Sequence, residues 1–366
     1  MTWIGVTDHE PGWFAPGGAT DRPANGAERA PDQPPGVLLS RGTLTVETRL
    51  SPDNRPQTLL AFQRSHPWPG VFSLQALPDG SIVLVEAQGN DTRSAVLPCP
   101  YHDRTDVVRL SYSWDAPSRA GRLTIERPLP DSTHWVDLPG ARPMLMDDLR
   151  QLMLHPAFRQ MDRNVIFAAL SDRVEPVGPM PGLTGRVLVD THLGPRPAQD
   201  LRRGDVVVTD RGAHVPVLQV VRRTVPARGS FHPVRLRAGY FGLTRDIVVA
   251  PDQKLVMRGT EVEYMFGREA VLVPARHLVN GVAALPAKGP EMVTFHQVLL
   301  PGHEAVLASG CALTSLYIGR LRRKPEKLAA SVLAGTDRAH LPEHAQPVWP
   351  VLKPFEAITL ATSRVA

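Results

Sequence analysis

At 366 residues the chain is too long for one ordinary small domain, and its length predicts two. Hydrophobic residues make up 42% and charged residues 21%, enough apolar material for genuine cores. The net charge of +5 is a small difference between 41 basic and 36 acidic residues, too small and dispersed to imply a nucleic-acid partner. The absence of any run of about 18 apolar residues predicts no membrane span.

Proline, at 37 residues, is about twice as frequent as usual and favours turns and edge strands over a helical bundle. The two cysteines, Cys99 and Cys311, are far apart in sequence and predict no disulfide framework. Arginine greatly outnumbers lysine, a bias typical of GC-rich bacterial genomes. The N-terminus lacks the basic and apolar regions of a Sec signal, so the expectation is a cytoplasmic protein, with non-classical export as the alternative.

Residues 1–40 are rich in Pro, Gly, Ala and Asp and predict an irregular arm, with Trp3, Ile4, Trp13 and Phe14 as anchors. Strand patterns follow. Residues 43–50 alternate, with Leu44, Val46 and Leu50 on one side and Thr45, Glu47 and Arg49 on the other. Residues 71–77 and 81–86 flank a Pro78-Asp79-Gly80 turn, and residues 107–114 and 122–127 form a second pair around a loop. Leu145, Leu149 and Leu152 predict a short helix over 144–153, and residues 164–170 return to strand. Residues 41–175 therefore predict an antiparallel β-sandwich. It resembles the concanavalin-A- and laminin-G-like jelly rolls that often precede the second module described below, and the resemblance implies a lectin-like domain. Glu47 with Glu86 is a conceivable glycosidase pair, and Trp68 and Trp114 are candidate stacking platforms for a glycan.

Residues 174–181 (VEPVGPMP) form a proline-rich joint. Beyond it, residues 186–191, 206–209, 247–250, 254–257, 292–300 and 304–308 read as short strands, with one brief helical pattern at 261–266. Residues 320–327 (RLRRKPEK) are the one dense basic run and read as a solvated segment. An apolar stretch within 348–360 is expected to return and pair with the body. The whole chain thus predicts an all-β protein.

The order of short motifs in this half resembles the Hint (Hedgehog/intein) domain of bacterial type. That family opens with Cys-Phe-Thr-Pro-Gly-Thr-Leu-Ile-x-Thr and then Leu-x-x-Gly-Asp. Residues 182–191 read Gly-Leu-Thr-Gly-Arg-Val-Leu-Val-Asp-Thr, and residues 201–205 read Leu-Arg-Arg-Gly-Asp. The family's Thr-x-x-His block falls on Ala250 and Gln253, and its late His block falls on His303. The resemblance implies a Hint domain over 182–366, including a C-terminal tail.

The family's first Cys attacks its own upstream peptide to form a thioester, and the Thr-x-x-His pair polarises and protonates that peptide. Here the nucleophile position is Gly182, the Thr-x-x-His positions hold Ala250 and Gln253, and the terminal His-Asn positions hold Thr314 and Ser315. Gln253 can donate a hydrogen bond but cannot transfer a proton near neutrality. Only His303 retains a titratable group. Thr184, Asp190, Thr191, Asp246 and Cys311 are further candidates for the pocket, with Thr184 as a substitute nucleophile. His277, His296 and His303 match no zinc spacing, so no metal and no cofactor are expected. The function expected is a structural or interaction module with a protein or glycan partner. The alternatives are self-cleavage by a substituted nucleophile, or glycan binding by the sandwich.

Overall fold

The computed structural model describes residues 2–16, 36–98, 107–128 and 132–363. The chain divides into two compact units, residues 1–175 with 228–230, and residues 176–227 with 231–366.

The first unit is a β-sandwich of two antiparallel sheets. From edge to edge, the larger runs Ser132–Asp137, Ala120–Arg127, Val107–Asp115, Arg41–Arg49, Val165–Ser171, Trp3–Thr7 and Trp13–Phe14. The smaller runs Arg159–Gln160, Gln57–Arg64, Gly70–Ala76, Ile82–Gln88 and Asp91–Leu97. Leu44, Val46, Leu60, Phe72, Leu74, Leu84, Leu110 and Tyr112 meet between them in one core. The expected hairpins are present. Gly80, at φ +88°, supplies the left-handed residue between two of the strands.

Three expectations need correction. Residues 1–40 do not form an irregular arm at their start. Trp3–Thr7 is an inner strand paired with both Val165–Ser171 and Trp13–Phe14, and its five residues are all buried. Glycine and proline nearby masked a strand whose second face is also covered, which removes the alternation a half-exposed strand shows. Residues 17–35 of that stretch, like Cys99, lie outside the described residues.

Trp114 is not a glycan platform. It is fully buried, donates its indole N–H to the Leu39 carbonyl at 3.0 Å and packs face to face with Tyr112. Gly42 admits it, since a Cβ there would lie 2.4 Å from the Trp114 ring. Nor are Glu47 and Glu86 a catalytic pair. They sit on strands of different sheets, and each carboxylate is held by its own partners. Tyr112 donates its hydroxyl to Glu86 Oε2 at 2.9 Å, and Glu47 receives the Ser230 N–H at 2.6 Å beside the Arg109 guanidinium at 3.5 Å. Burial raises both carboxyls above the ordinary range. The 144–153 helix forms as Met146–Leu154, because Met144–Leu145 instead pairs as a strand with Leu38–Leu39.

The second unit is also built from two sheets. One runs Gln219–Pro226, Met292–Leu299, Leu183–Thr184, Ile247–Val249, Val234–Leu236 and Ala284–Pro286. The other runs His214–Pro216, Val206–Val208, Leu188–Thr191, Ala305–Ala308, Cys311–Thr314, Lys254–Arg258 and Ala270–Pro274, with Gly194–Pro197 hooked onto Leu188–Thr191. Leu183, Val189, Val249, Leu255, Val273, Val306 and Leu313 fill the core. Helix Thr260–Phe266 ends on Gly267 in the left-handed conformation.

The tail does return to the body, where Val351 bridges Leu272. It then turns into a helix, Pro354–Ser363, that was not expected. Pro354 opens the helix, where a missing N–H costs nothing. Glu356 reaches back to accept the Lys353 N–H at 2.8 Å, closing the first turn. No helix among the described residues is long and apolar enough to cross a membrane.

Candidate functional site

Gly182 lies at the threshold of the Leu183–Thr184 strand. That strand is pinched between two others, with Leu183 opposite both Val249 and His296. The Gly182 carbonyl accepts the Ala250 N–H at 2.7 Å, which fixes it against the turn that follows Ile247–Val249. That turn closes with the Gln253 N–H on the Ala250 carbonyl at 3.0 Å. Three expected positions, Gly182, Ala250 and Gln253, thus meet through backbone pairing.

The Gln253 side chain fills the remaining space. A Cβ built on Gly182 would fall 2.0 Å from Gln253 Oε1 and 2.9 Å from its Cδ. The amide is locked there. Its Nε2 donates to the Lys254 carbonyl at 3.0 Å, the Thr314 carbonyl at 3.1 Å and Thr314 Oγ1 at 3.3 Å. Its Oε1 accepts from Gln297 Nε2 at 3.1 Å, and Gln297 also donates to the Thr314 carbonyl. Gln253, Gln297, Thr314 and Ser315 are all buried. The cluster therefore holds two carboxamides and two hydroxyls, none able to take or give a proton near neutrality.

Gln297 was not anticipated. The signal was available in the Met292–Leu299 strand, where Phe295, Gln297 and Leu299 share the buried face. A glutamine on the inward repeat of a strand needs buried partners.

His303 stands outside this ring of contacts. Its Nδ1 accepts the Val348 N–H at 2.9 Å, and its ring lies edge-on to Tyr317 and 5.9 Å from the His344 ring. Burial, followed by the His344 and Lys254 charges, drives its pKa down to about 3, so the ring is neutral at physiological pH. It connects to the cluster through neighbouring backbone, since Ser315 N–H donates to the Glu304 carbonyl at 2.8 Å.

The other candidates are engaged elsewhere. Thr184 donates its hydroxyl to the Val248 carbonyl at 2.7 Å, and Thr191 donates to the Gly194 carbonyl at 2.6 Å. Asp190, on Leu188–Thr191, has its carboxyl raised by partial burial. Asp246 accepts the Ala238 N–H at 2.8 Å and pairs with Arg235, and these contacts lower its pKa. Cys311 is buried, which pushes its thiol up to about 12 and leaves no thiolate for attack. No cluster of three or more metal-ligating side chains occurs among the described residues.

Residues 181–320 match the family model described as the Hint domain. The second unit contains a Hint domain. Solved structures similar to this chain include an intein-like domain from Clostridium thermocellum, at 15% identity over 37% of this chain and 99% of that one, with a TM-score of 0.26. The Ssp DnaB mini-intein variant M86 is 9% identical over 38% of this chain and 97% of that one, with a TM-score of 0.25. The CBM40 of Ruminococcus gnavus IT-sialidase is 13% identical over 37% of this chain and 77% of that one, with a TM-score of 0.27. No curated protein matches the chain. Within the Hint domain, the packing of Gly182 against Gln253 places a carboxamide where a side chain on the first residue would stand.

Proposed function

We propose that this Hint domain does not cleave its own chain and serves as a structural or interaction module. The observation that supports this reading is the Gln253 carboxamide, held by Lys254, Thr314 and Gln297 in the space a residue-182 side chain needs. An N→S or N→O acyl shift needs a nucleophile at that point and a group to protonate the departing amine. Gly182 supplies neither, and Thr184 has its hydroxyl turned to the Val248 carbonyl. Intact-mass measurement of the purified chain tests it. One species of 40.0 kDa is expected, unchanged by added thiol or hydroxylamine. Because residues 1–181 are half of 366, cleavage at Gly182 would give two fragments of about 20 kDa, and their appearance would overturn the reading.

Glycan binding by the sandwich is a second reading, favoured by Trp68. This residue is 39% exposed between Pro67 and Pro69, with the Arg64 guanidinium 4.8 Å from its ring centroid. Arg64 also donates to the Trp68 carbonyl at 2.8 Å, so the indole is held in place, as a platform for a sugar's C–H face must be. A glycan array probed with the intact chain should give signals that Trp68→Ala abolishes. A blank array, or signals that survive the substitution, removes this reading.

A further inference from the structure

The chain beyond residue 320, where the family match ends, crosses back over the Hint domain through residues 341–352. Two imidazoles hold this crossing, and they do so reciprocally. His303, from the body, accepts the Val348 N–H of the returning segment on Nδ1 at 2.9 Å. His344, from the returning segment, accepts the Ile318 N–H of the body on Nδ1 at 3.3 Å and donates from Nε2 to the Leu300 carbonyl at 3.2 Å. Between and beyond them, Trp349 lies against the guanidinium groups of Arg211 and Arg258, at 4.8 and 5.4 Å. Leu272 N–H donates to the Pro350 carbonyl at 2.7 Å, and Leu352 N–H donates to the Leu272 carbonyl at 3.0 Å. The segment thereby covers the outer edge of Ala270–Pro274.

Each ring is fixed as a tautomer by its partners: Nδ1 must be bare to accept a backbone N–H, and the second nitrogen must carry the proton. A protonated imidazole has N–H on both nitrogens. It would turn an N–H toward the Val348 or Ile318 N–H, two donors facing each other, and would leave a buried cation.

We propose that the His303–His344 pair is an acid-released latch that holds residues 344–352 on the Hint domain at neutral pH and frees them when the rings take up protons.

The surroundings favour this direction. Lys254 faces His303 from the strand Lys254–Arg258, Tyr317 lies against both rings, and each ring faces the other. The Glu304 carboxylate lies against Gly302, and the Asp210 carboxylate is taken by Arg258 at 2.8 Å. None of the described carboxylates offers either ring a counter-charge. Burial lowers the affinity of both rings for protons, for His303 to about 3, while the latch is closed. A group whose pKa is depressed in the closed state stabilises that state above its free value of about 6.5 and loses the contribution as pH falls below it. Two units below that value the opening equilibrium gains about 100-fold from His303, and the downward shift of His344 adds to it in the same direction.

Hydrogen exchange on the full chain between pH 7.5 and 4.5, corrected for intrinsic rates, reads this directly. Residues 344–352 and the Leu272 amide should lose protection as the pH falls, while Met292–Leu299 keeps its own. Protection of 344–352 that persists to pH 4.5, or that is lost only together with Met292–Leu299, overturns the latch. In His303→Asn/His344→Asn the Asn Oδ1 can accept the same N–H groups without titrating, so exchange of 344–352 should become independent of pH. Release that persists in this variant also overturns it. If the variant does not fold, the imidazole C2–H resonances of the natural chain decide: both rings must titrate with the same midpoint as the exchange of 344–352, and separate midpoints refute the coupling.

Discussion

Gly182→Ala should destabilise the Hint domain by about 2 kcal/mol, an effect out of proportion to one methyl group. The backbone at Gly182 is not in the left-handed region, so an ordinary side chain incurs no conformational strain there. The obstacle is Gln253 Oε1, 2.0 Å from the new Cβ. A flexible side chain at the surface would swing away at little cost. Gln253 is 4% exposed, and moving it abandons bonds to Lys254, Thr314 and Gln297. Overpacking of this kind costs about 1–3 kcal/mol, and a buried acceptor left without its donor costs a similar amount. The double-mutant cycle is the sharper measurement. Gln253→Ala removes the obstacle, so Gly182→Ala in that background should cost close to nothing, a coupling of about 2 kcal/mol by urea unfolding. Additive effects would show that the two positions do not compete for one space.

The same geometry governs any attempt to restore self-cleavage. Gly182→Cys alone should yield no fragments, because the thiol enters a space already occupied and finds no proton donor. Gly182→Cys with Ala250→Thr and Gln253→His removes the carboxamide oxygen that blocks the position and supplies a titratable ring at once. Fragments of about 20 kDa from the triple variant, with none from the single, are the expected pattern. Cleavage by Gly182→Cys alone would mean that Gln253 does not block the position.

Much of the Hint domain was legible in sequence because its marks are local. The Leu201-Arg202-Arg203-Gly204-Asp205 turn is one. Asp205 accepts the Arg202 N–H at 2.8 Å and is gripped by Arg196, and both contacts hold its carboxyl below the usual range. The loss of chemistry at Gly182 was equally readable from residue types. What fills the gap was not, because the Gln253 amide is held in that space by Gln297 and Thr314, 44 and 61 positions further along the chain. Residue types also misled. His303 looks like a retained chemical group, yet its Nδ1 is taken by the Val348 N–H and burial keeps the ring neutral. Trp114 looks like a lectin aromatic until the Leu39 carbonyl and the bare Cα of Gly42 account for it.

Deleting residues 2–14 should abolish cooperative folding of the sandwich, the largest effect expected anywhere in the chain. The segment reads as an irregular arm with apolar anchors, but it contributes a strand inside the larger sheet. Trp3 and Ile4 are 1% exposed, Trp13 is 6% and Phe14 is 8%. At about 1.5–3 kcal/mol per large apolar side chain, four such losses total about 6–12 kcal/mol, comparable with the entire stability of a domain. Polar groups add to this. Arg159, 8% exposed, donates to the carbonyls of Asp8 at 2.6 Å and Glu10 at 3.0 Å, and the deletion removes both acceptors from a buried guanidinium. The Val165–Ser171 strand would also lose a neighbour and present a bare edge, a template for aggregation. Trp3→Ala isolates the apolar part and should cost about 3–5 kcal/mol by itself. Urea unfolding followed by near-ultraviolet circular dichroism measures both variants. A deletion variant within about 1 kcal/mol of the full chain would mean that Trp3–Thr7 decorates the sheet; the burial of all five of its residues argues that the sheet is built on it.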